Sequence, residues 1–443
     1  MTDRYDLIIE NGIFVLPGGT ADVRIGTRHG RIVTLDARGD DSEQKIDAAG
    51  LYVLPGLIDP HVHFRDSGNA ELPEVETLET GTRGAVLGGI TAVFDMPNTS
   101  VPTTDSHRLR VKRDSICRRA WCDVGLYVGA SKENAGCLGA LEVEPGVCAV
   151  KVFSGSTTGD LLVEDDASIE SVMRSGRRRV AFHSEDEYRL QARRRLFAPG
   201  RDFSKHALWR DPECAALGTR RIVALARKTR RPAHILHVST AEEFSFLIDH
   251  HDLVSVEVLV NHLTQFAPDA YERLGAYAVM NPPIRDRNQV DAAWRAVADG
   301  LVDTVGSDHA PHSHAAKAKD WPYVAAGLSG VQTLAPVMFD QVQKGRLSLG
   351  RLVDLMAVGP ARIYGAVGKG RIAVGYDADF TIVDLKKNRR IEDTWLVSPC
   401  RWSPFAGERV TGWPAMTIVR GNVVMRDDEV LAAPIGKVMT FRS

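Results

Sequence analysis

The chain has 443 residues, 44% hydrophobic and 25% charged, an ordinary globular mix that excludes disorder, collagen-like repeats and a coiled coil. Its length suits about three domains, or one barrel of roughly 250 residues with a smaller module. With 55 Lys+Arg against 57 Asp+Glu, the net charge of −2 gives no electrostatic reason to seek nucleic acid or an acidic membrane.

The first residues, MTDRYDLIIENG, carry acids and no apolar core ahead of a small-residue cleavage site, so no signal peptide is expected. No apolar run approaches the roughly 18 residues of a membrane helix. Six scattered cysteines, Cys117, Cys122, Cys137, Cys148, Cys214 and Cys400, form no CxxC pair. They are expected to be reduced packing thiols of a cytoplasmic protein.

Residues 6–20, 21–37 and 51–56 alternate apolar and polar residues between Gly-rich turns, which predicts short antiparallel strands. Residues 368–385 and 416–430 read the same way. Between these ends, short β-branched runs alternate with helical stretches. The strand candidates are GLIDPHVHF, GITAVFDMPN, DVGLYVGA, VCAVKVF, RVAFHSE, AHILHVST, VSVEVLV and DTVGSDHAP. Helical period marks residues 76–89, 212–230 and 288–300. Eight β-then-α units predict an α/β protein with a closed TIM-type (β/α)8 barrel over residues 55–365. Residues 1–54 and 366–443 are expected to pair into a small β-sandwich beside it. An open doubly wound sheet is the alternative, and it lacks a GxGxxG turn after the first barrel strand.

Ionisable residues recur at the C-terminal ends of these strands, where barrel enzymes keep their active sites. In His61-Val62-His63 the two imidazoles share one strand face, so both can reach one metal ion. His183 and His237 end the fifth and sixth candidates, and Asp308 opens DHAPH at the eighth. A lone histidine or carboxylate there is usually a packing residue. Four histidines and an aspartate at four strand ends are hard to explain by packing, because buried ionisable groups are costly unless paired or metal-bound. Lys151 points inward with them, and an inward cation beside metal ions would be repelled. A neutral amine resolves this: it can add carbon dioxide and become a carbamate, an oxygen-donor ligand. The alternative is a lysine paired with Asp308 or with a substrate acid.

The motifs GLIDPHVHFRD, DMPNT, AVKVF, FHSEDE, HILHVST, MNPPIRD and GSDHAPH resemble the amidohydrolase superfamily, and within it dihydroorotase and the related cyclic amidohydrolases. The resemblance runs over nearly the whole chain. It implies a zinc enzyme with two Zn2+ per subunit: His61, His63, Lys151 and Asp308 would hold one, and carboxylated Lys151, His183 and His237 the second. Asp308 would also shuttle the proton. Arg65 would clamp a substrate carboxylate; its alternative is a salt bridge with Asp66 or Glu71. Asn98 and Asn281 would hydrogen-bond substrate, with turn formation as the alternative. His312 matches a second carboxylate contact, and the backbone of Ala326 and Gly327 would close over the ring. The expected activity is interconversion of (S)-dihydroorotate and N-carbamoyl-L-aspartate in pyrimidine biosynthesis. Its alternatives are an allantoinase, a hydantoinase or dihydropyrimidinase, or a non-catalytic partner of aspartate transcarbamoylase. A small-molecule substrate, a homo-oligomer (dimer or tetramer), no nucleic acid and no membrane are expected.

Several positions depart from the resemblance. Ser67 replaces a usual proline, Asn261 a usual histidine, and His314-Ala315-Ala316-Lys317 lacks the usual acids. Arg177-Arg178-Arg179 and Arg193-Arg194-Arg195 are read as solvated helix faces, with phosphate binding as the alternative.

Overall fold

The computed structural model describes residues 4–39, 41–68, 75–431 and 433–442. Eight parallel strands follow one another in space in chain order: β1 (Leu57–Val62), β2 (Ile90–Asp95), β3 (Asp123–Gly129), β4 (Val147–Phe153), β5 (Val180–His183), β6 (Ala233–Ile235), β7 (Val254–Leu259) and β8 (Thr304–Gly306). The ring closes where Val62 bridges His309 in parallel and the His63 N–H donates to the His309 carbonyl at 2.8 Å. Each strand falls inside one of the eight runs read from the sequence, and helices surround them, as a TIM barrel requires.

Every residue of these strands is buried, because a barrel sheet is covered on both faces. Val93, Val150, Val180, Val256 and Val305 pack outward beneath the helices in the main core. Residues one step out of phase, Phe94, Ala149 and Ala181, join a separate cluster with Ile58 and Tyr127 that Tyr364 and Phe441 close. The two faces follow from strand alternation.

The helix Pro212–Thr229 shows how the outer layer fixes the site. The Asp211 side chain caps it by accepting from the Cys214 N–H, Pro212 opens it, and Arg227 and Lys228 lie in its last turn, all favourable to a helix at those positions. Its buried face includes Gly218. A Cβ there would lie 1.3 Å from the Ser184 carbonyl oxygen, so only glycine lets the helix press on the loop that follows His183.

The chain ends form two further sheets. One orders the strands Arg31–Thr34, Ile25–Arg28, Tyr5–Glu10 and Ser42–Asp47. The other joins both ends: Phe380–Arg390 lies between Arg409–Val419 and Tyr52–Pro55, and Ile13–Leu16 follows beside Tyr52–Pro55. A shared core of Leu7, Ile25, Phe14, Val53, Phe380 and Ile418 lies between the sheets. Of the run 368–385 read as strands, only the part from Phe380 onward is strand. Gly368, Gly370 and Gly375 all take positive φ, which no strand allows, and Lys369 is drawn to the carboxylates of Asp123, Asp377 and Asp379.

Arg177, Arg178 and Arg179 also differ from their reading. The preceding helix ends at Arg174, and the three arginines form the turn entering β5. Arg193 and Arg194 do lie on a helix. All six cysteines are free. Among the described residues, no helix is long and apolar enough to cross a membrane.

Candidate active site

The six candidate ligands meet at the C-terminal end of the barrel. His61, His63, Lys151, His183, His237 and Asp308 line one cavity together with Arg65, Asn98, Asn281, Ala326 and Gly327. His61 lies on β1, Lys151 on β4 and His183 at the end of β5, while His237 and Asp308 follow β6 and β8 by two residues. Three non-glycine residues here take left-handed backbone: Arg65 (φ 45°), His237 (φ 42°) and Asp308 (φ 47°). Such residues cost roughly 1–3 kcal/mol each and cluster at functional sites. Arg65 therefore faces the cavity through a sharp turn after β1 and not through simple strand alternation.

Hydrogen bonds fix the imidazoles. His61 Nδ1 lies 2.7 Å from Glu257 Oε1 and its Nε2 lies 3.2 Å from Asp308 Oδ1. His63 Nδ1 lies 2.6 Å from Asn98 Oδ1 and its Nε2 lies 3.0 Å from the same Asp308 oxygen. Both rings thus donate from Nδ1 and turn a lone pair on Nε2 into the cavity, the arrangement that prepares a histidine for a metal ion. Burial lowers the pKa of His63 to about 4, so it is neutral and able to coordinate. His183 Nδ1 and His237 Nε2 stand 3.0 Å apart. Burial pushes both rings below the usual histidine range, and each is further lowered by Lys151. His183 Nε2 is also 2.9 Å from the Glu185 carboxylate, off hydrogen-bonding geometry.

Lys151 is fully buried, and its Nζ has no hydrogen-bond partner among the described residues. Burial brings its pKa down to about 7 despite the opposing charges of Asp308 and Glu257. Burial would raise Asp308, but His61, His63 and Lys151 outweigh it and hold the carboxylate well below the usual range.

This donor set fits metal ions. Donor atoms of His61, His63 and Asp308 all lie within 4.8 Å of one another. Nitrogen ligands at zinc's usual bond length stand roughly 3.3 Å apart, close to the spacings seen here. Lys151 lines the same cavity as that group and the His183–His237 pair, with an orphaned amine. Its pairing with Asp308, the alternative reading, is absent among the described ion pairs.

Arg65 is buried, 6% exposed, and its side chain makes no hydrogen bond or ion pair among the described residues. The alternative partner Asp66 is paired with Arg119 at 2.8 Å and accepts from the Leu78 N–H; Glu71 lies outside the described residues. Asn98 lines the cavity, its carbonyl facing His63 Nδ1 and its amide donating to the Thr158 carbonyl at 2.9 Å. Asn281 is 2.8 Å from His206 Nε2 and faces Thr157. His312 lies beside the loop that lines the cavity, its Nε2 3.0 Å from the Ala326 carbonyl.

Sequence reasoning missed Glu257, whose only signal is an acid inside the apolar run VSVEVLV. It also missed Glu185, which pairs with the buried Arg210, the cavity-lining Phe153 at the end of AVKVF, and the cavity-lining Thr157 and Thr158, which carry no motif.

Residues 52–424 match the model of the Amidohydrolase family. The chain is 34% identical to a dihydroorotase of Methanothermobacter thermautotrophicus over 92% of each chain. It is 32% identical to an allantoinase of Solibacter usitatus, covering 98% of this chain and 96% of the other. The solved L-hydantoinase (dihydropyrimidinase) from Arthrobacter aurescens superposes with a TM-score of 0.93 at 28% identity, covering 99% of this chain and 100% of that one. With its barrel, its clustered ligands and this match over most of its length, the chain belongs to the amidohydrolase family.

Proposed function

We propose that this cyclic amide hydrolase is a dihydroorotase, interconverting (S)-dihydroorotate and N-carbamoyl-L-aspartate in the synthesis of UMP. The observation that carries the reading is the unpartnered, buried guanidinium of Arg65 on the cavity wall. Burying a lone cation is costly, and a substrate carboxylate offsets that cost. Dihydroorotate and carbamoyl aspartate carry an α-carboxylate on the carbon beside the nitrogen that is not cleaved; allantoin, hydantoins and dihydrouracil do not. The relatives named dihydroorotase support the reading. The allantoinase relative and the hydantoinase neighbour favour the alternative, a carboxylate-free cyclic amide.

On this reading His61, His63, Lys151 and Asp308 would hold one zinc ion, and carboxylated Lys151, His183 and His237 would hold the second. When bound, the two cations would acidify the attacking water and polarise the scissile carbonyl. Lys151 suits the carbamate because burial leaves its amine partly neutral near pH 7. Asp308 stays ionised, accepts the proton of the attacking water and returns it to the leaving nitrogen. Glu257 and Asn98 hold His61 and His63 in the coordinating tautomer. Arg65 fixes the substrate carboxylate, Asn281 its ring amide, and the Ala326–Gly327 backbone covers the ring. The division into a catalytic barrel (55–365) and a sandwich (1–54 with 366–443), and a dimer or tetramer, belong to the same reading.

A crystal structure of the zinc-loaded protein with dihydroorotate tests it. The ring carboxylate should lie within hydrogen-bonding distance of the Arg65 guanidinium. A carboxylate directed away from Arg65 would overturn the reading.

A further inference from the structure

The other end of the barrel holds a second cavity, of about 670 Å3, that the proposed reaction does not use. It opens beside the starts of β4 and β5, where Cys148 and Arg179 line it. Five arginines share its wall: Arg177, Arg178, Arg179, Arg362 and Arg442. One acid, Glu142, accompanies them.

Few of these charges are neutralised. Arg362 pairs with Asp303 at 2.7 Å. Arg178 donates only to the carbonyls of Val147 and Phe441, and its buried Nε has no partner among the described residues. Arg179 donates to the carbonyls of Ala233 and Leu253. Among the described residues, the side chains of Arg177 and Arg442 make no hydrogen bond or ion pair. Glu142 does not compensate for them, because one of its oxygens is taken by Arg231 at 2.5 Å. The other accepts the backbone N–H groups of Arg177 and Arg178, at 2.5 and 3.0 Å. A Cβ at Gly176, whose φ is +113°, would lie 2.4 Å from that oxygen. The turn is thus built tightly around a carboxylate, and the result is three consecutive guanidiniums at one cavity.

In a chain of net charge −2, four guanidiniums without a carboxylate partner in one concavity repel one another, and a bound anion relieves that repulsion. Guanidinium forks match phosphate oxygens in geometry. The volume lies within the usual range of small-molecule sites. We propose that this cavity binds a small anion carrying two or more phosphate groups, at a site separate from the catalytic one. The shared chemistry is the phosphate chain, whether free or borne by a nucleoside.

The test is calorimetric titration of the zinc-loaded, full-length protein with sodium tripolyphosphate, with a nucleoside triphosphate and with orthophosphate, near 0.15 M salt. Zinc content is measured before and after. The comparison protein is Arg177→Ser/Arg442→Ser, in which both replaced side chains are exposed and the fold and basal hydrolysis should be unchanged. Tripolyphosphate should bind once per chain, more tightly than orthophosphate, and at least tenfold more weakly in the double variant. Tighter binding of the nucleoside triphosphate would assign the ligand as a nucleotide, and equal binding would assign the phosphate chain alone. No saturable heat at millimolar tripolyphosphate overturns the proposal. So does equal binding in both proteins, with or without zinc loss, since that places the anion at the metal end. Binding of a DNA oligonucleotide but not of tripolyphosphate overturns it as well.

Discussion

Replacing Arg65 by methionine removes the charge but keeps much of the apolar stem. In the free protein the guanidinium is buried, its pKa brought down to about 10 by burial against the charges of Asp308 and Asp95, and it has no bonded partner. Free Arg65→Met should therefore be at least as stable as the parent, because a lone buried cation is lost. With dihydroorotate bound, the variant leaves the substrate carboxylate desolvated and unpaired. Truncating one partner of such a pair costs roughly 2–5 kcal/mol, about 1.5 to 3.5 decades in kcat/KM. The assay is kcat/KM for dihydroorotate beside any trace turnover of dihydrouracil, which has no carboxylate to lose. Arg65→Lys should recover only part of the loss, because a point charge cannot reproduce the planar fork. An equal loss on both substrates, or a large drop in thermal stability, would refute the reasoning and make Arg65 a support for the metal site or the fold.

Other outcomes follow from the same geometry. Lys151→Ala should lose activity and regain part of it with short carboxylic acids, which can stand in for a carbamate; full activity without added acid would remove Lys151 from the ligand set. Asp308→Asn is nearly isosteric but cannot move a proton, so kcat should fall by about two decades or more with metal retained, and a near-normal kcat would count against its role. Glu257→Gln should weaken metal affinity by about 10- to 100-fold through His61, read by zinc competition with a chelator; unchanged affinity would show that Glu257 does not orient the ring.

The barrel was legible because each parallel strand is a short β-branched run and each crossover a helical one. The clustering of the candidate ligands was legible because four histidines, a lysine and an aspartate recurring at strand ends are costly to bury unless they meet partners. Glu257 was not, since a single acid in an apolar strand has no periodic signature and its partner His61 lies 196 residues away. The bond between Asn98 and His63 was not legible either, since the two residues lie in different motifs, 35 residues apart. The start of the run 368–385 shows alternation overridden by positive-φ glycines. The arginine turn before β5 was misread because three like charges resemble a solvated helix face unless the helix end at Arg174 is known.

The most direct measurement is turnover of the purified, zinc-loaded protein on dihydroorotate, allantoin, hydantoin and dihydrouracil in parallel, with the reverse cyclisation of carbamoyl aspartate followed in the same preparation. The account predicts that kcat/KM for dihydroorotate exceeds the others by decades and that carbamoyl aspartate cyclises. Faster hydrolysis of allantoin, hydantoin or dihydrouracil, with dihydroorotate left unchanged, would contradict it.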